Sequence, residues 1–392
     1  MDDRLHGLDL LRALMMLLGI VLHGAQMYMT MELGFDYYVD SASSVLMDAL
    51  LITINTFRMP LFFLLSGFFA AMIFSRRHLS GMVENRLRRI ALPMLFFLPP
   101  LSVVLSVQWI IATNLTETGQ FSLDISLLKY PYLLWNNTHH LWFLYYLLII
   151  LSVICAATML WARLPSSVVE PVTRVLKRLP VMGSGALVVI GLMFGAMAYH
   201  RSVGRLGGNI IWEPYWPSVG FFGVCTLLGW GLYYRQALLS VFVKRSWGYL
   251  AVALLCLVVA LWAFLTQGEA GGEAYATHHP VLVFANGLSV SFFMAAFLGL
   301  FCRYFNQFNP RARYLSDSAY WTFLLHQPVL LLLALPMYDW AVAAEVKFLI
   351  VSLGTFVLCT ISYHFWVRDT AIGVLLNGRR YDRRLPRGYN TA

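Results

Sequence analysis

Two polar side chains interrupt an apolar stretch near the start of the chain, DLLRALMMLLGIVLH from Asp9 to His23. Arg12 and His23 stand eleven residues apart. On an α-helix that spacing turns through about 1100°, roughly 20° past three full turns, so both side chains share a face, about 16 Å apart along the axis. A guanidinium grips a phosphate or carboxylate through paired N–H donors. A neutral imidazole takes and returns protons near neutral pH. One stripe of one helix thus offers an anion anchor and, far along it, a base. An arginine inside a membrane costs at least about 2.5–3.5 kcal/mol, which marks such a residue as functional by default. The plainer alternatives are an Arg12 that snorkels to lipid headgroups and a His23 bonded to a neighbouring helix.

Further polar groups lie in apolar surroundings. Arg58 sits inside the second apolar stretch, about 20 Å from its outer end, where snorkelling is difficult. A structural ion pair is its alternative role. Ser66 and Gly67 follow in the same stretch. Ser66 either faces a substrate or bonds back to its own helix, and Gly67 permits close helix approach. Arg86 and Arg89, spaced i, i+3 with Arg88 beside them, form a phosphate-gripping face. The same residues also suit topology and anionic lipids. His326, in WTFLLHQPVL, precedes Pro328, which frees the carbonyl of Leu324. His326 either does chemistry or satisfies that break. His140 and Trp142, in HHLWFLYY, open another apolar stretch. An aromatic beside polar side chains receives a sugar ring, or else belongs to an interfacial aromatic belt. His364 and Glu213 are weaker candidates and stay outside the expected site.

The elements that must position these groups follow from composition. Of 392 residues, 59% are hydrophobic and 12% charged, and the mean hydropathy is +0.69. These values fit an all-α polytopic membrane protein, a bundle of about ten transmembrane helices, and not a soluble domain. The expected spans are 8–29, 45–75, 91–112, 140–162, 181–200, 216–234, 247–266, 280–302, 319–338 and 346–366. With the N-terminus inside, the inner segments carry 22 of the 28 Lys and Arg residues and the outer ones four, while Arg12 and Arg58 lie within spans. That asymmetry predicts both termini in the cytoplasm. It also makes the net charge of +9 a topology signal and not a nucleic-acid footprint. Residues 1–370 read as one integral membrane domain and 371–392 as a basic cytoplasmic tail. The five cysteines are scattered singly, so neither a metal site nor a disulfide framework is expected. No nucleotide-binding glycine motif occurs. Gly191 and Gly195 form a GxxxG pair suited to helix packing.

Taken together, the R-x10-H of Arg12 and His23, FRMPLFFLLSGFF (57–69), the R-x-x-R of Arg86 and Arg89, HLWFL (140–144) and FLLHQPV (323–329) resemble the membrane-bound acyltransferase family 3. The motifs run in the family's order from the first span to the last. Within the family, the 57–69 stretch and HLWFLYYLLI look most like members that succinylate osmoregulated periplasmic glucans. The resemblance implies a multi-pass protein of the bacterial inner membrane. It implies transfer of an acyl group, succinyl in this reading, from cytoplasmic succinyl-coenzyme A as co-substrate to a hydroxyl of a periplasmic glucan. It also implies His23 as the catalytic residue.

The polar groups accommodate that reaction. Arg12, Arg86, Arg88 and Arg89 would pair with the anionic head of the donor, and the distance from Arg12 to His23 is of the order of a pantetheine arm. His23 would act as base, His326 would orient it or steady the oxyanion, and Arg58 would pair with a succinyl carboxylate. Ser66, His140 and Trp142 complete the expected substrate-binding set. An acyl-histidine intermediate is an open variant. Acetyl transfer to another polysaccharide or small molecule is an alternative within the family. A secondary transporter is an alternative of another class, although inverted repeats and paired broken helices are not evident.

Overall fold

The computed structural model describes residues 5–31, 38–124, 137–178, 184–201 and 204–381. The first residues of the expected fifth span and the tail beyond Tyr381 lie outside that set. In chain order the helices are α1 (His6–Gln26), α2 (Val45–Arg86), α3 (Leu92–Thr118), α4 (Trp142–Trp161), α5 (Ser166–Arg178), α6 (Ser184–Ala198), α7 (Trp216–Tyr234), α8 (Ala237–Thr266), α9 (Glu273–Tyr304), α10 (Pro310–Ala334), α11 (Ala344–Ser362) and α12 (Ala371–Asn377). The only β-pairing among the described residues is an isolated antiparallel bridge between Asn137 and Ile211. The chain is therefore all-α and polytopic.

Helices stand at all ten expected positions, but among the described residues seven are long and apolar enough on their own to cross a membrane. The difference has two sources. Val45–Thr118 runs nearly continuously through two expected spans, with α2 joined to α3 by a π-helical turn, Leu87–Ala91. The fifth and sixth expected spans, α6 and α7, fall short of the criterion, α6 being a shorter apolar helix over Gly185–Ala198. Within α2 the helix breaks at His78, whose backbone is left-handed (φ 56°). Holding a non-glycine residue there costs on the order of 1–3 kcal/mol.

Apolar side chains point both inward and outward, as lipid requires. Leu95 and Trp366 are about 70% exposed, at 72% and 70%, whereas Arg58, Asp48 and Lys347 are buried. The inner packing depends on small residues at crossings. A Cβ on Gly67 would run into the carbonyl of Thr226, and one on Gly229 into that of Leu64, so α2 and α7 meet backbone to backbone. Gly191 and Gly287 do the same for α6 and α9, as the GxxxG spacing predicts.

Helix α1 packs against α2, α9, α10 and α11, and it organises the site. The chain leaving it is tied down at once. Asp48, one turn into α2, accepts from the backbone N–H of Thr30 at 2.9 Å and from the Thr30 hydroxyl. Asp40 forms a fully buried ion pair with Lys347 of α11 at 2.7 Å. Burial and that carboxylate push the neighbouring Tyr38 hydroxyl well up from its usual range, so Tyr38 remains protonated and donates to Asp40 at 3.1 Å.

Candidate active site

The stripe expected on the first helix is present, and it joins two different environments. At one end is a cavity of about 610 Å³. Its wall from α1 consists of Asp9, Arg12, Ala13 and Met16, with Leu5 just before the helix, and its wall from α2 includes Phe62, Ser66, Phe69 and Ile73. Both sets follow the i, i+3, i+4 spacing of one helix face. Five arginines line it, Arg12, Arg76, Arg86, Arg89 and Arg313, against two carboxylates, Asp9 and Asp317. The space is therefore formally cationic.

The arginines are held to different degrees. Arg12 lies 3.7 Å from Asp9 and stacks its guanidinium 4.7 Å from the centre of the Phe69 ring. Arg313 is neutralised by Asp317 at 2.9 Å and Asp9 at 3.9 Å. Arg89 donates from Nη1 to the carbonyl of Leu376 at 2.9 Å, capping the C-terminal end of α12, where a cation is favourable. Arg86 differs. Its Nε and Nη2 are buried and have no hydrogen-bond partner among the described residues. Buried donors left in that condition are costly, and an anion in the cavity would satisfy them.

Arg88 departs from the expectation. It is 74% exposed and pairs with Glu84 at 2.9 Å. It stands two residues from Arg86, roughly 200° around a helix, so it turns away from the cavity that Arg86 and Arg89 line.

Beyond Met16 the stripe reaches the second environment. At Gly19, α1 carries no side chain, and other groups use the space. A Cβ there would lie 2.8 Å from Arg58 Nη2 and 3.1 Å from His326 Nε2. Arg58 also donates from Nε to the carbonyl of Met15 at 2.8 Å, so its guanidinium lies flat along one turn of α1. Among the described residues no carboxylate pairs with it. Asp48, the buried acid on the same helix, is committed to Thr30. One turn further, His23 packs against His326 with ring centres 5.2 Å apart, and His326 packs against His140 at 5.0 Å. Three histidines from three parts of the chain thus form a row.

Hydrogen bonds assign a proton to each ring. His326 Nδ1 faces the carbonyl of Phe323 at 2.6 Å, an acceptor only, so Nδ1 carries the hydrogen and Nε2 is the basic nitrogen. His140 Nε2 donates to the carbonyl of Leu324 at 3.1 Å. His23 Nδ1 faces Gln26 Oε1 at 3.1 Å, so Nδ1 carries the hydrogen and Nε2 is the basic nitrogen. Two expectations change here. The carbonyl freed by Pro328 is Leu324 O, and His140 satisfies it, not His326. His326 spends its only N–H on Phe323, so in the neutral state it accepts hydrogen bonds and cannot donate one to an oxyanion.

His140 and Trp142 serve different surroundings. His139, just before His140, has a left-handed backbone (φ 46°), a strain typical of functional sites. Trp142 is apart from the histidines. Its ring is pressed by Gly208 and packs against Tyr146 and Phe222, so it braces the 204–216 segment. Ser66 faces the arginine cavity, not the histidines.

Sequence reasoning missed Asp9, Arg313, Asp317 and Tyr381 in the cavity wall. The first three carried a usable signal, since Asp9–Arg12 and Arg313–Asp317 are opposite charges at i, i+3 and i, i+4. Gly19 carried none.

A family model described as an acyltransferase domain, type 3, matches residues 5–364. The chain is 34% identical over 155 residues to glucans biosynthesis protein C of Escherichia coli K12, covering 39% of this chain and 38% of that protein. It is 35% identical over 148 residues to the protein of the same name in Salmonella paratyphi B, covering 37% of each. The aligned stretch therefore spans well under half the length of these curated relatives. No solved structure matches. With the motifs, the continuous stripe and a family match over nearly its whole length, the chain belongs to the membrane-bound acyltransferase 3 family.

Proposed function

We propose that this chain is an inner-membrane O-succinyltransferase, taking the acyl group from succinyl-coenzyme A on the cytoplasmic side and placing it on a hydroxyl of a periplasmic glucan. The observation that carries this reading is the α1 stripe, with an arginine-lined cavity at Arg12 and a histidine row at His23. The name of the relatives, glucans biosynthesis protein C, supports a glucan as acceptor. Both termini would face the cytoplasm, which puts the arginines on the donor side.

The cavity fits a coenzyme A head, because Arg86 has buried donors without partners. Arg12, Arg86 and Arg89 would hold its phosphates. Ser66 and Met16 lie where the arm would pass toward Gly19. The thioester supplies an activated acyl carbon with a thiolate leaving group. His23 Nε2 takes the proton of the sugar hydroxyl as its oxygen bonds to that carbon. It returns the proton to sulfur as the carbon–sulfur bond breaks. Gln26 holds His23 in this tautomer. Arg58 meets the succinyl carboxylate, and its Nη2 lies close to the stripe at Gly19.

The decisive experiment is mass analysis of periplasmic glucans from a strain lacking this protein, with and without the gene restored. Succinylated glucan should vanish and return. Unchanged succinylation would overturn the substrate assignment. Loss of acetyl groups instead would point to the acetyltransferase alternative.

Two finer results are expected. Arg86→Ala should weaken succinyl-coenzyme A binding about 10- to 100-fold, the scale of a lost charge-assisted contact. Arg88→Ala should leave it unchanged. Titration of purified variants with the donor checks both, and equal effects would mean the two residues act only through topology. Pro328→Ala should keep the fold, since α10 gains a backbone bond, yet lower turnover about tenfold by competing with His140 for Leu324 O. Combining it with His140→Ala should add little to either alone. Full additivity would show that the proline acts elsewhere.

A further inference from the structure

The segment after α11 returns to the bundle. A π-helical turn, Tyr363–Val367, leads into α12 and on to Tyr381, and Leu376, Asn377 and Tyr381 line the arginine cavity. The anchors of this segment are themselves cavity residues. Arg89 donates to Leu376 O at 2.9 Å. Gly378, with φ 77°, ends α12 where a Cβ would run into the Arg89 guanidinium. Asn377 donates to the carbonyl of Asp317 at 3.1 Å. Arg313 Nη2 donates to the Tyr381 hydroxyl at 2.8 Å, and Tyr381 N donates to Arg368 O at 3.1 Å. Three guanidinium carbons surround the Tyr381 ring, those of Arg379 at 4.7 Å, Arg368 at 5.4 Å and Arg313 at 5.9 Å from its centre.

These contacts couple the segment to whatever fills the cavity. Arg89 and Arg313 form its wall and also hold the segment, so an anion that engages either one alters the grip on residues 376–381. The wall at Tyr381 combines an aromatic ring with clustered guanidiniums. That chemistry suits a nucleotide, which presents phosphates beside a flat base. A bare pantetheine arm has neither.

We propose that Arg368–Tyr381 is a clasp that closes on the nucleotide end of the acyl donor, with Tyr381 as the wall against which that end packs and its hydroxyl as the latch to Arg313. This rests on the reading of the donor as a coenzyme A thioester. The clasp makes the tail a determinant of donor choice, favouring a nucleotide-bearing thioester over a shorter one.

The test uses the full chain in detergent and adenosine 3′,5′-bisphosphate as probe. Tyr381→Ala should weaken probe binding about tenfold by titration calorimetry, and Tyr381→Phe, which keeps the ring, should weaken it less. Trypsin should cleave after Arg379 and Arg380 more slowly in wild-type protein when the probe is present. Tyr381→Ala should raise KM for succinyl-coenzyme A by a similar factor while affecting KM for S-succinyl-pantetheine much less. Unaltered probe affinity in Tyr381→Ala, absence of probe protection, or equal losses with both donors would each overturn the clasp. A wild-type protein that neither binds the probe nor distinguishes the two donors would overturn the coenzyme reading and the clasp with it. Normal wild-type binding with an indifferent Tyr381→Ala would overturn the clasp alone.

Discussion

His23→Ala is expected to abolish acyl transfer, lowering the rate by at least about 10²–10⁴-fold, the usual contribution of a positioned general base. Folding and membrane insertion should be unaffected. His23 lies on α1, but its ring contributes to a polar row and not to an apolar cluster. Its neighbours there are Gln26 at 3.1 Å and the His326 ring. Gln26→Leu serves as companion. It keeps the base but removes the acceptor that fixes its proton on Nδ1, so a smaller loss with a changed pH profile is expected. Glucan carrying near-normal succinyl groups in a His23→Ala strain would remove His23 from the chemistry. A protein that failed to insert would be missing from membrane fractions, which are checked before any activity is measured.

Arg58→Leu is expected to change which acyl group is accepted. The guanidinium is buried, its Nε is committed to Met15 O at 2.8 Å, and no acid among the described residues pairs with it. A buried cation without a counter-charge is strongly unfavourable. A succinyl carboxylate supplies that charge, whereas an acetyl group cannot. Succinyl transfer should therefore fall about 10²-fold or more, on the scale of breaking a buried pair, with acetyl transfer affected less. Donor competition between succinyl- and acetyl-coenzyme A, run on wild-type and variant protein, reads this out directly. An unchanged preference would make Arg58 a structural brace for α1, and the succinyl assignment would then rest on family resemblance.

The fold, and the helix shared by Arg12 and His23, were legible because both depend on local periodicity. The Arg12–His23 stripe needs only the helical repeat, and the structure keeps it on a continuous helix, His6–Gln26. Grouping Arg88 with its neighbours ignored that same repeat, which turns it toward solvent beside Glu84. What periodicity cannot supply is helix order. Nothing local indicates that His140 would reach across to Leu324 O, although Pro328 announced a carbonyl in need of a donor. Nor does a basic, polar C-terminal segment announce that Arg89 and Arg313 will fasten it down. Gly19 is the clearest case, because its role consists of the absence of a side chain, and only the positions of Arg58 and His326 give that absence meaning.

The placement of Arg58 also bears on electrical leakage. A path from the arginine-lined cavity to the row of imidazoles would have the ingredients of a proton wire, and such a wire would drain an ion gradient across the membrane. At Gly19 such a path would meet the Arg58 guanidinium. A buried positive charge raises the energy of hydronium and of metal cations there, as an arginine does in water-selective pores. It attracts a carboxylate and leaves an uncharged arm unopposed. On the proposed reading, the charge that would select the acyl group would also serve as an electrostatic seal, and a neutral replacement at that position should weaken both properties together.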